Sequence, residues 1–143
     1  MKLLKPYVFN HGKWLLLIGM LAILSIAGCG KKEAVPTAHC TNLVSGCTVP
    51  VGDKSALVHF SHSPVVLRPF NVQVMSRGAH RIEVSFIMVG MEMGSNIYRL
   101  EADSQGVWRS QVVLPACVTG RTDWVMTLVV DGKSVKIPFV ATK

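Results

Sequence analysis

The sequence predicts an all-β domain, an antiparallel sandwich of about seven strands, on three observations. Apolar residues alternate with polar ones from about residue 55 onward. Gly, Pro, Asp and Ser break that alternation at short intervals, where turns belong. No stretch after residue 29 keeps the three-and-four apolar spacing of a helix. Successive side chains of a strand face opposite ways, so period two marks a half-buried strand. About seven such strands in some 85 residues fit an immunoglobulin-like sandwich, with a small closed barrel as runner-up.

The elements follow in order. Ala56-Leu57-Val58-His59-Phe60 is the first short strand. Phe70, Val72 and Val74 form an apolar face opposite Asn71, Gln73 and Met75. Ile82, Val84, Phe86 and Met88 do the same against Arg81, Glu83 and Ser85. Tyr98, Leu100 and Ala102 supply the next face, and Asp103-Ser104-Gln105-Gly106 the turn after it. Trp108, Val112 and Leu114 come next, then Trp124, Met126, Leu128 and Val130. Asp131-Gly132 is a hairpin signal before Val135, Ile137 and Phe139. Pro69 fits a strand start and Pro138 an edge strand, since proline cannot donate to a ladder.

The N-terminus reads as an export signal. Lys2, Lys5 and Lys13 precede an apolar run, Trp14 to Ala27, which is short for a membrane span. The run ends at Ile26-Ala27-Gly28-Cys29, which resembles a bacterial lipobox. That resemblance implies cleavage before Cys29, lipidation of Cys29 and tethering of the chain to a membrane. The expected organisation is a lipoprotein signal peptide over 1–28, a lipidated tether over 29–39 and the sandwich domain over 40–143. Gly30 favours the outer membrane over the inner, by resemblance to the sorting rule that retains lipoproteins bearing aspartate there. The chain's +7 charge includes three lysines and no acid in residues 1–28, leaving +4 beyond them. The basic residues of that remainder are scattered, so no nucleic-acid stripe forms.

With Cys29 assigned to lipid, Cys40, Cys47 and Cys117 remain. An odd number outside the cytoplasm implies one bridge and one leftover thiol, or an intermolecular bond. All three pairings are open, and the short spacing with Gly46 at a turn favours Cys40–Cys47. That leaves Cys117 as a free thiol in the loop Leu114-Pro115-Ala116-Cys117-Val118-Thr119-Gly120-Arg121. Neither a thioredoxin-like CxxC nor four-cysteine zinc spacing is present.

The stretch Ile87-Met88-Val89-Gly90-Met91-Glu92-Met93 is rich in methionine. If Met88 faces inward with Phe86, Met91 and Met93 have the opposite parity unless Gly90 bulges the strand. Two apart in an extended chain, Met91 and Met93 share a face and can chelate one soft ion. Cu(I) is the ion that thioethers and thiolates select, so Met91, Met93 and Cys117 form a candidate copper site. The competing reading is packing, because methionine fills irregular strand ends beside aromatics such as Trp108 and Trp124. His59 and His62 lie three apart near a strand end and His39 adjoins Cys40, which makes them weaker metal candidates. His80 falls in a turn.

No Gly-x-Ser-x-Gly elbow, phosphate-binding loop or dinucleotide fingerprint occurs. The carboxylates sit at outward strand or turn positions, and the expectation is a protein that is not an enzyme.

Two segments carry a family resemblance. Met91-Glu92-Met93-Gly94-Ser95-Asn96 resembles an M-x-M-G-x-N motif, and Leu114 through Trp124 resembles L-P-x-C-V-x-G-R-x-x-W. Both are similar to motifs of a family of small exported proteobacterial lipoproteins that share a cysteine pair like Cys40 and Cys47. The resemblance spans about residues 40–140 and implies a common scaffold and no particular activity. More distantly, the layout resembles immunoglobulin-like exported domains of the YtkA and CopC type, some of which handle copper. Their ligand positions are not matched here one by one.

The expected function is therefore that of a periplasm-facing, membrane-anchored lipoprotein that carries or delivers copper. The alternative is an envelope protein-binding or assembly module without metal, its methionines serving packing or an interface.

Overall fold

A computed structural model describes residues 34–90, 96–116 and 120–143. Among them are nine strands: β1 (Cys47–Val51), β2 (Lys54–Phe60), β3 (Pro69–Met75), β4 (Ile82–Met88), β5 (Asn96–Arg99), β6 (Glu101–Ala102), β7 (Trp108–Val113), β8 (Asp123–Val130) and β9 (Lys133–Val140). They form two antiparallel sheets, β1-β2-β3-β7-β6 and β5-β4-β8-β9. Leaving β1 aside, the first order is the ABED sheet of an immunoglobulin-like sandwich and the second is its C′CFG sheet. The expected fold class is the one observed.

The alternation behaves as the sequence predicts in the long strands. Phe70, Val72 and Val74 are buried, as are Ile82, Val84, Phe86 and Met88. Trp124, Met126, Leu128 and Val130 fill the same core from β8. Register places Met88 opposite Trp124 and Phe86 opposite Met126. The buried Met88 thus packs as a strand-end core residue beside an indole, a contact that sulfur favours.

A cluster of aromatic rings joins the two sheets. Phe60 and Phe70 of the first sheet lie edge-on at 5.1 Å between ring centroids. Phe70 reaches Phe86 of the second sheet at 6.2 Å, and Phe60 reaches Phe139 at 5.5 Å. Phe86 also meets Phe139 and Tyr98, both at 6.0 Å. Every contact is edge-to-face, the arrangement that sets the positive rim of one ring against the negative face of another.

Three features depart from the expected strand list. Cys47–Val51 is a strand missed by the alternation reading, because Pro50 interrupts an already short run. Proline is tolerated there because β1 is a sheet edge. Tyr98, Leu100 and Ala102 do not form one apolar face. The chain changes sheets at Leu100, so β5 belongs to one sheet and β6 to the other. Leu100 is buried at the crossing, its N–H donates to the Ile82 carbonyl, and Ala102 is exposed. Finally, the compact unit comprises Val35–Lys143. Residues 36–38, which composition assigns to a tether, are bonded to β9: Lys136 N–H donates to the Pro36 carbonyl and Ala38 N–H to the Lys136 carbonyl, both at 2.8 Å.

Asp131, in the β8–β9 hairpin, adopts a positive φ of 48°. Its carboxylate accepts hydrogen bonds from the Lys54 ammonium (2.6 Å) and from the backbone N–H groups of His80 (2.9 Å) and Arg81 (2.8 Å). Lys54 in turn donates to the Gly78 carbonyl. One carboxylate thus ties β2, the β3–β4 turn and the β8–β9 hairpin together. The lysine hydrogen bond, followed by the backbone donors, holds its pKa far below the ordinary carboxylate range.

Two predictions follow from this packing. Phe86→Ala removes a ring that touches three others, and is expected to cost about 3–5 kcal/mol in denaturant unfolding. For Asp131, the depressed folded-state pKa means that its contribution is fully present above the unfolded value of about 4 and declines as pH falls below it. The melting midpoint should therefore fall from pH 5 to pH 2, and fall less in Asp131→Asn. Residual slope in that variant is expected from Asp103 and Asp123, also held low by hydrogen bonds and neighbouring arginines.

Candidate binding site at one end of the sandwich

The candidate metal ligands Met91, Met93 and Cys117 lie outside the described residues, as does Cys29. The residues that border them are described, and they gather at one end of the second sheet. Val89 N–H donates to the Asp123 carbonyl at 3.1 Å. Gly90 has a φ of +78°, and a side chain there would stand 3.5 Å from the Arg121 guanidinium. Arg121 forms a two-pronged pair with Asp123, Nε to Oδ1 at 3.0 Å and Nη2 to Oδ2 at 2.6 Å. That pairing lowers the Asp123 pKa and raises that of Arg121. Just past the end of β7 in the first sheet, Leu114 is buried and its carbonyl accepts from Leu67 N–H.

Cys40 and Cys47 are joined in a disulfide, with their Cα atoms 5.8 Å apart. The bridge fastens the entry segment to the start of β1, and both cysteines pack against the core. Inside the closed loop, the Asn42 side chain accepts from Val44 N–H at 2.8 Å, and the Leu43 carbonyl accepts from Phe60 N–H at 2.9 Å. Leu43 is thereby pinned over the end of β2 and is buried.

The histidines do not assemble. His59 lies on β2 in a small cleft of about 210 Å³ with Leu57, Gln73 and Met75, its Nδ1 buried without a hydrogen-bond partner among the described residues. His62, past the end of that strand, bonds through Nδ1 to Ser61 Oγ at 3.0 Å and stacks edge-on against Phe70. His39 is exposed, and the His80 ring lies 3.7 Å from the Asp131 carboxylate. Among the described residues, no three of His, Cys, Asp and Glu are grouped as for a metal ion.

Two larger concavities remain. A groove of about 880 Å³ runs beside Lys54, Met75, the turn at 76–79 and Trp108. The second, of about 490 Å³, lies at the end where residues 90 and 121 meet their neighbours. Its walls are the disulfide loop from Cys40 to Val44, the segment at Ser63-Pro64, and the ends of β4, β8 and β9 at Val89, Asp123, Trp124 and Pro138–Val140. Phe60 and Phe139 reach it from the aromatic cluster.

Trp124 is the notable member. The sequence marks it as a core anchor, and it is only 2% exposed. Yet its indole N–H is buried with no acceptor among the described residues. A buried donor left unpaired costs on the order of 1–3 kcal/mol. Around it, Val89 (42%) and Val140 (67%) leave large apolar surfaces exposed. The cavity thus combines apolar walls with a rim of exposed valines, and Trp124 is one of its lining residues. Nothing in the strand pattern announces this, because Trp124 has the same alternation as Met126 and Leu128.

No known family model matches the chain, and no curated protein matches it in sequence.

The disulfide loop forms a wall of this cavity, and its contribution is measurable. Replacing Cys40 and Cys47 together with serine is expected to cost about 2–3 kcal/mol in denaturant unfolding, the closure entropy of so short a loop. It should also speed amide exchange selectively over residues 40–46.

Proposed function

We propose that this chain is a membrane-anchored, non-enzymatic lipoprotein of the bacterial envelope that carries Cu(I), with Cys29 as the lipidated residue. The observation that supports the copper reading is the contact between Gly90 and Arg121. Gly90 directly precedes the segment that contains Met91 and Met93, and Arg121 follows the one that contains Cys117, so each segment has one flank at this end of the second sheet. Two thioethers and a thiolate make a soft donor set, which favours Cu(I) over harder divalent ions, and the copper reading requires these three residues to supply it. Immunoglobulin-like architecture is compatible with such a role but hosts many others, so the chemistry rests on these side chains.

A second reading has its own support. On the outer face of the second sheet, register sets Ile97 beside Ser85, Ile87 beside Val125, and Val125 beside Pro138. Ile97 (65%) and Ile87 (38%) are exposed, and with Val89 and Val140 they spread apolar surface over that end of the domain. Such a surface suits a protein-binding or assembly module of the envelope, with the methionines serving packing or an interface.

The full chain in mild detergent, titrated with Cu(I) against a chromogenic chelator, separates the two. The copper reading expects stoichiometric competition that Met91→Leu with Met93→Leu weakens by at least about tenfold, or 1.4 kcal/mol, at an unchanged melting midpoint. Equal affinity in wild type and double variant sinks it.

A further inference from the structure

The outer edge of β9 is covered at two places and open between them. At one end Lys136 exchanges main-chain hydrogen bonds with Pro36 and Ala38, and Thr37 pairs with it in parallel. At the other, Thr142 N–H donates to the Pro64 carbonyl at 2.9 Å and Val66 N–H to the Thr142 carbonyl at 3.0 Å, again in parallel. Main-chain groups of a strand alternate between its two sides. Lys136 and Thr142 turn theirs outward, so Pro138 and Val140, of the same parity, do so too. Ala141 confirms the phase, since its N–H turns the other way, to the Thr122 carbonyl. No described residue bonds to the outward groups of Pro138 and Val140. Proline has no N–H, which leaves the Val140 N–H as the open donor and two carbonyls as open acceptors.

This gap opens into the 490 Å³ cavity, whose walls include both flanking pieces, Cys40–Val44 and Ser63-Pro64, as well as Pro138, Phe139 and Val140. Trp124, whose indole N–H has no acceptor among the described residues, is one of the residues that line the same cavity. From Lys136 to Thr142 is about 20 Å of strand at 3.3 Å per residue, and its covered ends leave room for a guest of about three residues.

We propose that this gap is a docking site for a short extended peptide of another protein, which pairs with Val140 as Pro36 and Ala38 pair with Lys136. One bulky apolar side chain of the guest enters the cavity between Leu43, Phe60 and Trp124. The edge supplies affinity through main-chain bonds and the pocket supplies selectivity, the division of labour in strand addition. A peptide suits the site better than a fatty acyl chain, because only a peptide uses both the N–H and the carbonyl of Val140. Pro138 limits the pairing, so a long strand cannot zip along β9. The proposal deepens the protein-binding reading above and is independent of copper.

The test uses the full chain in mild detergent and a fluorescein-labelled probe, Ser-Val-Leu-Val-Ser with blocked ends. Anisotropy reports affinity, and amide exchange over residues 138–141 reports the place. Saturable binding with slowed exchange at Val140 is expected. Val140→Pro, which removes the outward N–H and spares the bonds that Phe139 and Ala141 make towards β8, should weaken binding by about tenfold, as should N-methylation of the probe backbone. Val140→Thr, which keeps that N–H, should bind within about threefold of wild type and serves as the folding control. Equal affinity for the N-methylated probe, or for Val140→Pro, overturns the proposal, as does absence of saturation at millimolar probe. Protection of Val140 by sodium decanoate but not by peptide overturns it in favour of an acyl ligand. Concentration-dependent protection without any probe overturns it in favour of a second copy. An envelope partner captured equally well by wild type and Val140→Pro leaves the protein-binding reading standing and removes only this site.

Discussion

The edge-to-face contact network of Phe60, Phe70, Phe86, Phe139 and Tyr98 is the interaction on which the rest of the domain depends. The two sheets share no main-chain ladder, so side-chain packing must hold them face to face. Rings that interlock edge against face fix both the separation and the relative slide of the sheets, which aliphatic contacts alone leave looser. Because Phe60 and Phe139 also reach the end cavity, the core shapes that cavity together with the loops that wall it. The disulfide loop and the ends of β4, β8 and β9 are placed around a wall that is already set.

A sandwich also has four strand edges to manage, and this one manages them differently on its two flanks. On one flank the chain itself passes between sheets at Leu100, and the Tyr98 hydroxyl donates to the Val113 carbonyl at 3.0 Å. On the other flank, irregular segments at 36–38 and 64–66 lie against β9, with a short gap between them. Pro50 in β1 and Pro138 in β9 keep these edges from acting as long templates for other strands. The stretch of β9 left open between the two segments is too short to template a long strand.

Much of this was legible in the residues. Period-two runs such as Trp124 to Val130 bury one whole face, so burial and alternation coincide and the strand can be read directly. Asp131-Gly132 marked its hairpin, and the Cys40–Cys47 spacing favoured the bridge that forms. The rest depends on contacts distant in sequence. The sheet change at Leu100 looks like an ordinary alternation, because a crossing residue is buried just as a core residue is. The pairing of 36–38 with β9 involves main-chain atoms, which carry no side-chain signature. The unsatisfied indole of Trp124 is invisible for a similar reason: a sequence shows that a donor exists, while its lack of an acceptor is a fact about its neighbours.

The parallel alignment of residues 36–38 with β9 has a mechanical consequence. A pull on the chain from the side preceding Val35 runs along the strand axis, so the hydrogen bonds at Lys136 are loaded together, in shear, instead of opening one by one. Should they yield, the slack ends at Cys40, where a covalent bridge passes the load to Cys47 at the start of β1. From there it spreads across the five residue pairs of the β1–β2 ladder. The entry segment is therefore a strain relief that can give way, and reseal, before force reaches the aromatic core.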